Sequence, residues 1–243
     1  MNAIETHDLV KKFGSKTAVD HLNLTIREGE LFSLLGVNGA GKTTTIRMLS
    51  CLSAPTGGDA HLLGSSILTD SAAVKQKINV SPQETAVARK LTVRENLQLI
   101  AELYGCSRTE AAARTEEMLS SLSLGETANS RASTLSGGMQ RRLSIAMALI
   151  TRPRILFLDE PTLGLDVLAR RELWKIIESL KGRITILLTT HYMEEAAALS
   201  DRIGIMAAGR LKAVGTLSEL TALTGTSTLE DAFVALAAGE VKA

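Results

Sequence analysis

Gly36-Val37-Asn38-Gly39-Ala40-Gly41-Lys42-Thr43 follows the apolar run Leu31–Leu35 and precedes a stretch expected to be helical from near Gly41 to about Leu52. The order of buried strand, glycine-rich turn and helix decides the fold class. The glycines let the backbone curl until successive N–H groups converge on one anion. The helix adds its positive N-terminal end at the same point. In the spacing G-x-x-x-x-G-K-[ST] the lysine reaches the β- and γ-phosphates of a nucleotide and the hydroxyl ligates Mg²⁺. Those roles fall to Lys42 and Thr43, with Gly36, Asn38, Gly39, Ala40, Gly41 and Thr44 around the phosphates. From average glycine usage, a chance match in a chain this long is on the order of one in a hundred.

Downstream, strands alternate with helices. Ile155–Leu158, 184–189, 202–207 and 210–214 read as strands, the last two around Ala208-Gly209, and 166–180 reads as a helix. Ile78–Val80 is a short strand ended by Pro82. Upstream, 3–10 and 19–27 alternate well enough to be strands, and Ala54–Gly58 is turn chemistry. Alternation of this kind predicts a mostly parallel sheet covered on both faces. A purely helical stretch, roughly 90–150, interrupts it and reads as an inserted subdomain. Its helices are expected at 92–104, 107–122 and 136–151. Thr92…Glu95 and Ser107…Glu110 both fit the capping box, in which a hydroxyl accepts a backbone N–H and the acid returns the bond. The tail, 216–238, reads as two short helices, the second capped by Thr228.

Composition narrows the function. Of 243 residues, 45% are hydrophobic and 22% charged, an ordinary globular balance. Twenty-seven basic against 26 acidic residues give a net charge of +1, and aromatics are only 3%, so neither a basic surface nor stacking platforms point to nucleic acid. No apolar run approaches the roughly 18 residues that a membrane span needs. The N-terminus carries no signal-peptide pattern. Cys51 and Cys106 lack metal spacing and read as small buried residues of a reduced cytosolic protein.

The second half of a phosphoryl-transfer site should be acidic and lie at a strand end. Ile155-Leu156-Phe157-Leu158-Asp159-Glu160 supplies it: Asp159 to hold Mg²⁺, Glu160 to orient and deprotonate the attacking water. A second anion seat opens at Leu135-Ser136-Gly137-Gly138-Met139-Gln140, again a hydroxyl and two glycines at a helix start. If it faces away from the first, its natural target is the nucleotide of a partner chain.

These elements, in this order with His191 following, resemble the ATP-binding-cassette ATPases along nearly the whole chain. The resemblance implies a P-loop NTPase (RecA-like) core, an N-terminal antiparallel β subdomain and the helical insert. It divides one cassette into core at 1–88 and 152–215, helical subdomain at 89–151 and a helical tail at 216–243. It implies that Phe13 stacks on adenine and that Gln83 ligates Mg²⁺ or the attacking water. By the same resemblance Ser136, Gly137, Gly138 and Gln140 bind ATP in trans, Asp166 crosses to a second copy, and His191 holds the γ-phosphate and Glu160's water. Asp166 also reads as a helix N-cap; both roles can hold. Val37, Leu163 and Val167 depart from the family's usual residues, the last two in the dimer loop.

Gln83–Gly105, His191–Ala196 and Thr228–Phe233 resemble drug- and lipid-exporting cassettes that pair with a separate permease. The implied assembly is a homodimer with ATP and Mg²⁺, peripheral on the cytoplasmic face of the membrane, without nucleic acid. The stretch 90–122 suits a groove for a permease helix as well as ordinary packing. A regulatory cassette acting on a non-membrane partner, such as nucleic acid or a ribosome, stays open as the alternative.

Overall fold

The computed structural model describes residues 1–238; residues 239–243 of the expected tail lie outside the described residues. The chain opens with β1 (Asn2–Phe13), β2 (Lys16–Arg27) and β3 (Leu31–Leu35), followed by α1 (Lys42–Leu49), β4 (Gly57–Leu62), β5 (Ser65–Ser66), α2 (Ser71–Lys77) and β6 (Ile78–Ser81). The helical insert holds α3 (Val93–Leu103), α4 (Arg108–Ser121) and α5 (Gly137–Leu149). Alternation resumes with β7 (Ile155–Asp159), α6 (Val167–Ser179), β8 (Thr185–Thr190), α7 (Met193–Leu199), β9 (Arg202–Ala207) and β10 (Arg210–Gly215). Helices α8 (Leu217–Thr224) and α9 (Leu229–Ala238) follow.

Two sheets result. One is antiparallel, in the order β2-β1-β4-β5; the other runs β10-β9-β3-β8-β7-β6 and is parallel except for β10. Every residue of β3, β7 and β8 is buried, which explains why these strands read as unbroken apolar runs. Within them the side chains still alternate. Phe32, Phe157 and Leu187 pack with Ile4, Leu22 and Met48 of the antiparallel sheet and α1. Leu31, Leu156, Leu158, Ile186 and Leu188 pack on the other face with Leu97, Leu143 and Ile177 of the helices. Period-two geometry thus glues the antiparallel sheet to one face and the insert to the other. Each fully buried Leu or Phe contributes about 1.5–3 kcal/mol.

Four local expectations change. Ala54–Gly58 is not all turn, because Gly57 and Gly58 begin β4. Gly58 sits at φ 72° where the register between β1 and β4 slips, and a Cβ there would lie 2.2 Å from the Asp8 carbonyl oxygen. Helix α1 stops at Leu49 rather than Leu52: the Ser50 hydroxyl donates to the Ile46 carbonyl (2.7 Å) and Cys51 turns to φ 57°. The capping box closes fully at Thr92–Glu95, but at Ser107 only the hydroxyl half forms. Cys51 and Cys106 are free, yet only half-buried rather than core residues.

Candidate active site

Three parallel strands, β3, β8 and β7, end at one edge, and each delivers part of the site. After Leu35 the loop is held by two close approaches. A Cβ at Gly36 would lie 2.4 Å from the Met206 carbonyl oxygen, and one at Gly41, which is at φ 108°, 2.4 Å from that of Ala18. Glycine is therefore required sterically at both positions. No side chain caps α1, so its first N–H groups stay available to an anion. Lys42 is buried; its ammonium donates to the carbonyls of Gly36 (2.7 Å) and Val37 (3.2 Å) and lies 3.0 Å from Glu160 Oε1.

β7 and β8 supply the acid side. Asp159 Oδ1 accepts from the hydroxyls of Thr43 (3.0 Å) and Thr189 (2.6 Å). Glu160 follows at φ 49°, a conformation glutamate disfavours, and is 5% exposed. Its N–H is shared between Thr189 Oγ1 and the Thr189 carbonyl, each at 3.1 Å. Its Oε2 lies 2.6 Å from His191 Nδ1. One carboxylate therefore spans the phosphate-loop lysine and the histidine, inside a site where charges act through a low local dielectric.

The cleft in front of these groups has a volume of about 400 Å³. Phe13, Asn38, Gly39, Ala40, Gly41, Lys42, Thr43, Thr44, Gln83 and Glu160 line it, with Lys16 and Ala18. Phe13 is exposed, 56%, so it is not a core residue of β1. Gly36, Asp159 and His191 are not part of that lining. Thr43, Gln83 and Asp159 share the wall of an adjoining hollow. A hydroxyl, an amide and a carboxylate are the hard oxygen donors that suit Mg²⁺, which keeps few protein ligands and completes its shell with phosphate and water. Among the described residues no three His, Cys, Asp or Glu side chains cluster as a metal site. The donor set therefore fits a cation held jointly with a nucleotide.

The second helix start lies elsewhere. Ser136, Gly137, Gly138, Gln140 and Asp166 do not line the cleft. Ser136 caps α5, its Oγ accepting the Met139 N–H at 3.3 Å, and Gln140 donates to the Leu135 carbonyl. Gly137 is exposed, with open space where a side chain would be, whereas a Cβ at Gly138 would meet Ala169 at 3.0 Å. Asp166 caps α6 by accepting the N–H groups of Leu168 and Ala169, both at 2.9 Å. Leu163, Val167 and Leu168 are exposed beside it.

Arg141 is one residue that motif reading missed. Its guanidinium, 4% exposed, donates to the carbonyls of Pro82 (2.6 Å), Gln83 (2.6 Å) and Glu160 (3.2 Å). Burial lowers its pKa, while the nearby carboxylates of Asp159, Glu195 and Glu160 hold the charge in place. The available signal was its position on the buried stripe of α5 shared with Ser144, Ile145 and Ala148. Thr189 also escaped notice, since a threonine closing an apolar strand carries no motif.

A parallel sheet that brings Lys42, Thr43, Asp159 and Glu160 to one edge defines a nucleoside triphosphatase; a flanking antiparallel sheet and a helical insert make it a cassette. The model of the ABC transporter family matches residues 19–163, more than half of the chain, and the chain belongs to that family as an ATP-binding, ATP-hydrolysing subunit. It is 42% identical over 228 residues to the daunorubicin/doxorubicin resistance ATP-binding protein DrrA of Streptomyces peucetius, covering 93% of this chain and 69% of that one. It is 43% identical to the Nod factor export ATP-binding protein I of Paraburkholderia xenovorans (strain LB400), covering 90% and 73%. A dimeric post-hydrolysis ATP-binding cassette bound to ADP and Pi superposes with a TM-score of 0.79 at 28% identity, covering 88% of this chain and 98% of that one.

Proposed function

We propose that two copies of this chain close on two ATP molecules and that hydrolysis reopens them, driving export through a separate permease. The observation that carries the reading is the separation of the two anion seats: Ser136–Gly138 lies off the cleft that Lys42 lines, so each needs a partner to complete it. Adenine stacks on Phe13, and Lys42 exchanges its contact with Glu160 Oε1 for phosphate oxygens. That exchange frees the carboxylate to take a proton from water as the oxygen attacks the γ-phosphorus and ADP leaves. His191 holds Glu160 through Nδ1 and offers Nε2 to the γ-phosphate. Thr43, Gln83 and Asp159 would hold Mg²⁺, which offsets the negative charge of the phosphates.

The division into core, helical subdomain 89–151 and tail follows from this scheme, since the helical part carries closure to the membrane partner. A groove of about 140 Å³ between β6, α3 and α5, lined by Val80, Pro82, Ile100, Tyr104 and Met147, suits an apolar side chain or two of a short permease helix. Leu99 and Leu103 of α3 and Tyr104 just after it are exposed apolar side chains on the same helix end. Among the described residues no helix is long and apolar enough to cross a membrane, which fits a subunit peripheral on the cytoplasmic face. Similarity to a drug-resistance and an export ATP-binding protein supports outward transport of a drug-like or lipid-like substrate.

The test is Glu160→Gln. Hydrolysis should fall about a thousandfold, ATP binding should survive, and light scattering with ATP should report a dimer. Unchanged hydrolysis removes Glu160 from the base role, and a monomer in saturating ATP removes the shared site. Co-purification with a candidate permease, followed by a substrate-stimulated ATPase assay, tests the transport reading.

A further inference from the structure

The residue after His191 has no part in the reaction as described, yet it is packed against the imidazole. The Tyr192 ring lies tilted on His191, centroids 4.1 Å apart and planes at 39°. The Arg170 guanidinium sits over the tyrosine ring at 4.7 Å from its centroid. Arg170 belongs to α6, one turn after Asp166, whose carbonyl accepts the Arg170 N–H at 3.0 Å. One turn further along α6, the Trp174 indole donates to Glu195 Oε1 on α7 at 3.1 Å, and Glu195 is fully buried. Two contacts therefore bind the helix after the 163–166 loop to the segment carrying His191.

We propose that Tyr192 is a positioning residue for hydrolysis, acting through His191, and that Arg170 ties it to the loop expected to meet the second copy. An imidazole on a loop can rotate about χ2. Stacking on one face holds its plane, keeping Nδ1 on Glu160 and leaving Nε2 as the nitrogen for phosphate. The cation over the tyrosine makes that stack depend on where α6 stands. A shift of the 163–166 loop on dimer closure then reaches the imidazole through Arg170 and Tyr192. The inference rests on the proposed roles of Glu160 and His191.

The experiment compares Tyr192→Ala, Tyr192→Phe and Arg170→Met in the full chain, with Glu160→Gln and His191→Ala as controls. Tyr192→Ala should lower kcat about tenfold with KM for ATP within about twofold, the loss expected for an aromatic stack. Tyr192→Phe, which keeps the ring, should stay within about twofold, and Arg170→Met should fall between. In ¹⁵N-histidine NMR the His191 Nδ1 resonance should move in Tyr192→Ala and stay in Tyr192→Phe. A wild-type kcat with an unmoved resonance in Tyr192→Ala overturns the inference. So does a parallel fall of kcat and Tm in both tyrosine variants, which marks plain destabilisation. Full activity in both controls instead overturns the underlying site reading, a result distinguishable from either.

Discussion

Helices α1 and α5 both begin at glycine-rich starts, and they differ in how much of their surroundings the chain itself supplies. The start of α1 is furnished largely by its own chain. Its glycines touch carbonyls of Ala18 and Met206, Lys42 is buried, and Glu160 and Asp159 stand opposite. The start of α5 is open: Ser136 and Gly137 are exposed, and nothing lies within 4 Å of a Cβ at Gly137. One end is built to grip a charged ligand with what the chain already holds; the other presents donors outward. Steric demand for glycine is internal at the first and absent at Gly137.

That contrast breaks most sharply at Gly137. Gly137→Asp puts a carboxylate where the chain has room and where a helix N-terminus favours negative charge. Folding and ATP binding by the monomer should be unchanged. ATP-driven dimerisation should weaken about a thousandfold, because like charges brought together cost several kcal/mol. A variant that dimerises normally would place the α5 start outside any nucleotide interface. The complementary test is Lys42→Ala, read by ATP titration. Its Kd should rise about a hundredfold, the loss of charge-assisted bonds worth up to roughly 3 kcal/mol. An unchanged Kd would contradict the phosphate-loop reading of the α1 start.

The smallest effect concerns the ground beneath the first site. Burial raises the Glu195 carboxyl above its ordinary range; the neighbouring Thr190 and Thr162 hydroxyls and the Trp174 indole offset this only in part, and the Glu160 charge adds to it. A carboxyl raised in the folded state binds its proton more tightly there than in the unfolded chain. Stability then falls as pH climbs through the raised value. Glu195→Gln removes that dependence. Its Tm should exceed that of the natural chain by a few degrees at pH 8, the gap narrowing as pH drops toward 5. A gap that widens on acidification would show Glu195 to be stabilised in its charged form.

The parts of the molecule that repeat a simple period were readable in advance. β3, β7 and β8 are buried on both faces, so their apolar runs announced them, and the loop after β3 carries a spacing with few other uses. β4 was hidden because its two glycines carry turn chemistry, although Gly58 is there to let Asp8 approach. Helices α2 and α7 are short, and α7 turns a glutamate inward, which defeats any apolar pattern. The cleft-lining residues Phe13, Asn38–Thr44, Gln83 and Glu160 were legible through motifs. Arg141, Thr189 and Tyr192 were not, since they act on backbone carbonyls, on a neighbouring carboxylate and on a ring, contacts that only the folded chain creates.

The joint made by Arg141 has a practical corollary. All three of its acceptors are main-chain oxygens, so these hydrogen bonds do not depend on the side chains at 82, 83 and 160, although the Glu160 carboxylate helps to keep the guanidinium charged. Exchanges at Gln83 or Glu160 can therefore alter chemistry while the scaffold stays in register, whereas a lysine at 141 brings a single ammonium on a flexible stem in place of a planar fork. The fold thus keeps its wiring separate from its reagents.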